Sequence, residues 1–181
     1  MNDDFSVSPA RSASADWAVR VETPTDVPEV QRIVRAAFDR PDEADLVEAL
    51  RGDPAWIDGL SLVAADSGGR PVGHALLTRC HIDAVPALCL APCSVLPEYQ
   101  RTGAGSAAIR AALEAAASLG ERYVTVLGHP EYYPRFGFGR ASEYGVGLTI
   151  EVPDEALMVM ALRPGDPVPP GTIRYAAPFG I

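Results

Sequence analysis

Between Ala87 and Gly120 an apolar run of strand length passes through a broken turn into an alanine-rich helix, and this stretch constrains the chain most. Ala87 to Leu96 reads Ala-Leu-Cys-Leu-Ala-Pro-Cys-Ser-Val-Leu. Pro97 to Thr102 interrupts it, and Gly103-Ala104-Gly105-Ser106 opens the helix. The first N–H groups of a helix have no intrahelical acceptor, and the macrodipole places roughly half a positive charge there. Glycines at that point remove Cβ atoms and let an anion approach the main chain. The stretch is therefore expected to form a phosphate cradle.

The flanking sequence supplies the rest of a sheet. Trp17 to Glu22 alternates and predicts a first strand, after a Ser/Ala/Asp-rich mobile tail at residues 1 to 16. Thr25 or Asp26 can cap a helix carrying Val27, Val30, Ile33, Val34 and Phe38 on one face, ended by Pro41. Asp45 to Arg51 predicts a shorter helix with Leu46, Val47 and Leu50 inward. Leu60–Ala65 and Pro71–Thr78 read as a hairpin about Asp66-Ser67-Gly68-Gly69-Arg70. In the long helix Ser106, Arg110, Glu114 and Ser118 form a polar stripe. Ile109, Leu113 and Leu119 sit among alanines suited to packing on a sheet, and Gly120 is the stop signal. Tyr123–Leu127 is a β-branched strand, and Glu131 to Phe138 an aromatic turn. Gly147–Val152 and Ala156–Leu162 predict a closing antiparallel pair, and Thr172–Tyr175 a short edge strand. The pattern is that of an α/β or α+β domain with a mixed sheet spanning residues 17 to 181.

Charge and cysteine usage narrow the class. The net charge is −9, with no Lys/Arg cluster, which argues against a nucleic-acid partner. No run of eighteen residues lacks charges, so no membrane span is expected. The acidic start Met1-Asn2-Asp3-Asp4 has no apolar run behind it, which favours the cytoplasm over secretion. Cys89 and Cys93 would lie about 13 Å apart along a strand, too far for a disulfide. Cys80, Cys89 and Cys93 are read as small buried hydrophobes in a reducing compartment.

Two nucleotide motifs compete at the cradle. Gly103-Ala104-Gly105-Ser106-Ala107-Ala108 fits G-x-G-x-x-G/A. In a dinucleotide fold, however, those glycines follow the strand directly, and an acidic residue stands some 20 residues on. Six residues intervene here, and the next strand ends at Leu127-Gly128 without an acid. No Gly-Lys-Ser/Thr follows, so a Walker loop is excluded. The other spacing, Gln100-x-x-Gly103-x-Gly105, resembles the Q/R-x-x-G-x-G/A motif of the GNAT superfamily of N-acetyltransferases. Tyr133-Pro-Arg-Phe-Gly-Phe138 is similar to the tyrosine four residues before Gly-Phe that members of this family carry. Leu90-Ala91-Pro92, Val95 to Gln100 and Leu127-Gly128-His129-Pro130 resemble the YhbS-like subgroup of predicted acetyltransferases.

The resemblance implies a mixed, mostly antiparallel central sheet flanked by helices and splayed at the cofactor-binding strand. It implies acetyl-CoA as cosubstrate, with a primary amine of a small molecule or protein attacking the thioester directly in a ternary complex. Carried over, the main-chain groups of Cys93, Ser94 and Val95 face the pantetheine arm. The N–H groups of Arg101, Thr102, Gly103, Ala104, Gly105 and Ser106 hold the pyrophosphate. A backbone N–H near Val95 would stabilise the developing oxyanion, and Tyr133 matches the general acid. A free tyrosine titrates near 10 and a thiol near 8.5, so full proton transfer is uphill by about 2 kcal/mol. Tyr133 then serves as a hydrogen-bond donor or has its pKa adjusted locally, while Tyr132 is expected to pack. The family's usual glutamate is missing from Ala87–Leu96, which leaves His129, His81, Asp83, Glu48 or water as base. Arg101 and Arg110 could reach phosphates, although Glu114 offers Arg110 an i,i+4 partner. Arg135 has no evident role. No metal is implied, and a monomer or homodimer is expected. The competing reading is a CoA-binding module of the same fold without chemistry.

Overall fold

Residues 17–38 and 42–181 are described by the computed structural model; the expected tail at 1 to 16 and the helix stop at Pro41 lie outside them. The first strand is β1 (Ala18–Val21). A turn at Pro24–Asp26 leads to α1 (Val27–Ala37) and α2 (Asp42–Arg51). Then come β2 (Ser61–Ala65), β3 (Pro71–Ile82), β4 (Val85–Val95), α3 (Ala104–Ser118) and β5 (Tyr123–Leu127). Short strands β6 (Gly139–Arg140) and β7 (Val146–Gly147) precede β8 (Leu157–Ala161) and β9 (Gly171–Arg174). The sheet runs β1-β2-β3-β4-β5-β8-β6, with β9 on the far end of β3 and β7 on β9. Its ladders are antiparallel except β4 with β5 and β7 with β9.

The parallel β4–β5 junction fixes the site. Only Leu88 with Val124 and Cys89 with Thr125 are paired, after which the two strands part. On its other side β4 stays paired with β3 to Val95, through an irregularity where Leu76 faces both Ala91 and Pro92. From Leu90 onward, one edge of β4 therefore has no strand partner, and the main-chain groups along it are open. This is the expected splay.

Alanine content explains how α3 sits. Ala104, Ala108, Ala112 and Ala116 are fully buried with Ile109, in one cluster with Leu62, Ala75, Leu77, Leu88 and Leu90 of the sheet. Arg110, Glu114 and Ser118 face solvent as the stripe predicts, but Leu119 is exposed rather than packed. The helix ends as Gly120 signals: its N–H reaches Ala117 O and Glu121 N–H reaches Ala116 O, both at 3.0 Å. On the opposite face α1 and α2 cover Val63 and Leu76.

Two local readings change. Asp26 stands at the N-cap position of α1, one of the two expected. Its carboxylate makes no cap bond to the helix and instead accepts from Thr23 N–H at 2.8 Å and pairs with Arg20. Gly147–Val152 forms no strand beyond Gly147, and β8 pairs instead with β5 and β6. On that second edge β6 pairs with Met158 and Val159, and the alternating Leu148, Ile150 and Val152 join no ladder. Pro153, which has no N–H, closes the segment. The 3₁₀ turn Pro24–Asp26 and the early start of α2 at Asp42 are further departures in detail.

Buried ionisable groups set the acid response of the fold. His74 is fully buried, and burial, helped by the Arg51 charge, pushes its imidazole down to about 3. The unfolded chain takes up this proton near 6.5 and the folded chain refuses it, so stability falls as pH drops from 6.5 towards 3. The hydrogen bond from Arg20 holds Asp26 well below the usual carboxylate range, so its contribution is lost only below about pH 4. Urea unfolding between pH 7 and 4.5 is expected to weaken by up to about 1.4 kcal/mol per pH unit from His74. His74→Gln should flatten that slope, and an unchanged slope would show that the histidine is not held neutral.

Candidate active site

Where β4 leaves β5, a cavity of about 980 Å³ opens between the end of β4, the N-terminus of α3 and the aromatic turn. Of the residues singled out from sequence, Cys93, Ser94 and Val95 line it from the strand. Arg101, Gly103, Gly105 and Ser106 line it from the turn and helix, and Tyr133 from across the opening. Ala104 is buried beneath it, and the Thr102 carbonyl is held by Trp17 Nε1 at 3.1 Å. Trp17 also stacks edge-on against Tyr99, so the first described residue braces the turn. As a lone tryptophan at a strand end, it carries no sequence signal for this contact.

The helix start has the geometry the glycines require. Gly103 has φ +96°, a left-handed conformation that L side chains rarely adopt. The first hydrogen bond of α3 runs from Ala107 N–H to Gly103 O at 2.9 Å, so Ala104, Gly105 and Ser106 keep N–H groups without intrahelical acceptors. No side chain caps them. At Gly105 a Cβ would meet Val95 Cγ2 at 3.0 Å and Tyr132 Oη at 3.4 Å, so only glycine leaves this wall of the cavity open. Arg101 and Arg135 line the same cavity with Glu131, which places two cations by the uncapped N-terminus of an acidic chain.

The aromatic turn is rigidly packed. Tyr132 makes edge contacts with Tyr133 and Phe136, and Tyr133 with Phe138. Tyr132 Oη and Ser106 Oγ are hydrogen-bonded at 3.1 Å, so Tyr132 does more than pack: it ties the turn to the start of α3. Arg135 lies over the Tyr132 ring at 4.5 Å and donates from Nε to Tyr132 O at 2.9 Å. Arg110 stacks on Phe136 at 5.0 Å instead of pairing with Glu114. Gly128, at the end of β5, makes room for Tyr133, since a Cβ there would lie 2.4 Å from Tyr133 Cε2.

Tyr133 and Cys93 line the same cavity. Burial pushes the Tyr133 hydroxyl well above its ordinary value and the Cys93 thiol up to about 12. At neutral pH Tyr133 therefore keeps its proton and can act as a hydrogen-bond donor at this point, while Cys93 is no thiolate. Cys80 and Cys89 are buried as expected, whereas Cys93 is only partly covered and forms cavity wall.

The candidate bases separate in space. His129 lines the cavity and is exposed. Glu48 sits on α2 with its carboxylate on Arg51 Nε at 3.0 Å. Asp83 accepts from Thr172 N–H at 3.0 Å at the β3–β4 turn, and His81 pairs in register with Pro86 and Arg174. None of those three lines the cavity. Ala37 and Phe38 from the end of α1 do, but the segments near 80 and 140 do not. Residues 142 to 157 instead border a second cavity of about 650 Å³. Among the described residues, no helix is long and apolar enough to cross a membrane.

Comparison with known proteins agrees with this geometry. The sequence model of the acetyltransferase (GNAT) family matches residues 27–138. The uncharacterized N-acetyltransferase YjhQ of Escherichia coli K12 is 36% identical over 162 residues, covering 85% of this chain and 89% of that protein. Among solved structures, the GNAT family N-acetyltransferase YhbS from Escherichia coli in complex with CoA superposes with a TM-score of 0.83 at 26% identity, over 91% of this chain and 92% of that one. A GNAT family acetyltransferase from Brucella melitensis in complex with acetyl-CoA gives 0.74 at 30% identity, over 90% and 97%.

Proposed function

The chain belongs to the GNAT family of acetyltransferases, and from that premise we propose that it moves an acetyl group from acetyl-CoA to a primary amine held in the cavity between β4 and the aromatic turn. The observation that carries this reading is the continuity of an unpaired β4 edge with the uncapped, glycine-lined start of α3. These residues fit the cosubstrate. The open N–H groups of Ala104, Gly105 and Ser106 suit a pyrophosphate, and the missing Cβ at Gly105 keeps them accessible. The edge of β4 at Cys93, Ser94 and Val95 suits the amides of the pantetheine arm. Acetyl-CoA supplies an activated acetyl thioester, and the relatives solved with CoA and acetyl-CoA support its use here.

The chain's own groups then divide the work. Backbone dipoles at the end of β4 are fixed before binding and stabilise negative charge where it develops on the acyl oxygen. Tyr133, neutral and pointed into the cavity, donates a hydrogen bond to the departing sulfur. Packing of its ring against Tyr132 and Phe138 leaves little torsional freedom to lose. Ala37 and Phe38 border the side on which the amine approaches. The described cysteines are free, as a reducing compartment keeps them, which supports a cytoplasmic enzyme.

Thiol release from acetyl-CoA across a panel of primary amines tests the assignment. Turnover on at least one amine is expected; tight acetyl-CoA binding with no turnover on any would favour a binding module instead. Gly128→Ala is a finer probe of Tyr133. Its Cβ would displace the ring, so kcat is expected to fall about tenfold with KM for acetyl-CoA nearly unchanged. A normal kcat would mean that the position of Tyr133 does not matter.

A further inference from the structure

A row of polar side chains crosses the sheet on the face covered by α1 and α2. Glu22 follows β1, Ser61 lies on β2, His74 on β3 and Ser94 on β4. His74 and Ser94 are directly opposite in the β3–β4 ladder, so their side chains share one face about 5 Å apart at Cβ. All four are almost wholly buried. Glu22 accepts from Ser61 Oγ and pairs with Arg51 of α2, and its carboxylate lies 3.8 Å from His74 Nε2. Ser61 Oγ is 2.8 Å from His74 Nε2.

The hydrogens in this row can be assigned from valence. Ser61 has one hydroxyl hydrogen and gives it to the Glu22 carboxylate, which can only accept. Ser61 Oγ must then accept from His74, which puts the imidazole hydrogen on Nε2. Nδ1 is left as a bare acceptor, and among the described residues neither it nor Ser94 Oγ has a hydrogen-bond partner, so the two facing atoms do not bond each other as they stand. Two buried polar atoms on facing residues are thus open to a further partner. Ser94 also lines the cavity at the end of β4. The row thus ends at the chemistry, on a strand that lacks a carboxylate of its own.

We propose that Ser94, His74, Ser61 and Glu22 form a proton relay that takes the proton shed by the acceptor amine; this rests on the N-acetyltransferase reading. As the nitrogen bonds to the acetyl carbon it becomes cationic, and its N–H turns strongly acidic. A turn of the Ser94 side chain about its Cα–Cβ bond, across the ladder from His74, lets Oγ accept that proton, directly or through a bridging water, and pass its own to His74 Nδ1. His74 releases its Nε2 hydrogen to Ser61 Oγ, and Ser61 releases its hydroxyl hydrogen to Glu22. Each intermediate member gains one proton and loses one, and the net change is one proton moved from the amine to the Glu22 carboxylate. Ser94 is the catalytic member; His74, Ser61 and Glu22 act through it. The charged groups facing the row are Arg51, paired to Glu22, and Glu48, paired to Arg51 from outside. From α1 the same cluster contains Val30 and Val34, and from α2 Val47 and Leu50.

Two measurements decide the matter. In ¹⁵N-labelled full-length protein, two-bond proton–nitrogen spectra are expected to show His74 as the neutral Nε2–H tautomer from pH 5.5 to 8.5. Ser94→Ala should shift its Nδ1 resonance. An Nδ1–H tautomer, or no response to Ser94→Ala, overturns the relay whether or not any amine is acetylated. In thiol-release assays with spermidine, an aminoglycoside and a lysine-bearing peptide, Ser94→Ala and His74→Gln should each lower kcat at least about tenfold. KM for acetyl-CoA should stay within about twofold. Unchanged kcat in these variants, with kcat lost in His129→Gln or Glu131→Gln, would move the base to the cavity rim and refute the relay. Absence of turnover on all three amines would count against the enzymatic reading, and the resonance test would still judge the relay.

Discussion

Tyr133→Phe is expected to lower kcat for acetyl transfer about a hundredfold while leaving the dissociation constant for acetyl-CoA within about twofold. The ring is held by edge contacts to Tyr132 at 5.2 Å and Phe138 at 5.9 Å, and phenylalanine keeps both. What disappears is a hydroxyl that burial keeps protonated, on a side chain that lines the cavity together with Cys93 at the end of β4. A donor at that point stabilises charge only as the sulfur departs, so its loss should appear in turnover and not in ground-state binding. Isothermal calorimetry and thiol release on the same preparation separate the two. Undiminished kcat in Tyr133→Phe would remove Tyr133 from the chemistry, and a large loss of affinity would recast it as a binding residue.

Gly103→Val should weaken acetyl-CoA binding at least tenfold. At φ +96° any Cβ is strained, by about 1–2 kcal/mol, and a β-branched side chain more so. The turn must then move, and with it the N–H groups that begin α3. Strain alone could lower stability without touching the site, and Gly120 controls for this. It has φ +85° at the other end of α3, where a Cβ would find nothing within 4 Å. Gly120→Val is expected to lose comparable stability and to bind acetyl-CoA normally. If both variants bind equally well, the glycine turn is not the cradle; if both bind equally badly, the effect is one of folding.

The residues behind these two predictions are visible in the sequence to an unusual degree. The Gly103-x-Gly105 turn and the Tyr133-to-Phe138 segment are contiguous in the chain, so spacing alone locates them. The end of α3 at Gly120 and the polar stripe are equally legible, because both depend on contacts within one turn of helix. The expected Gly147–Val152 strand fails for the opposite reason. Its alternation is real, but a strand also needs a partner in register, and β8 pairs with β5 and β6 instead. Leu119 and Arg110 depart from expectation because a helical period gives a face but not what lies against it. Arg110 finds Phe136, which is remote in sequence.

The sequence by itself determined the order of elements as far as β5, the family motif and the uncapped helix start, since each is set by neighbours a few residues apart. Only the tertiary structure decided which polar groups meet. His74 and Ser94, twenty residues apart, become cross-strand partners through the β3–β4 register, and Glu22 and Ser61 join them from two further segments. A lone histidine in an apolar strand carries no local sign of such company. Its protonation and its partners follow from burial and register, which exist only once the sheet has formed.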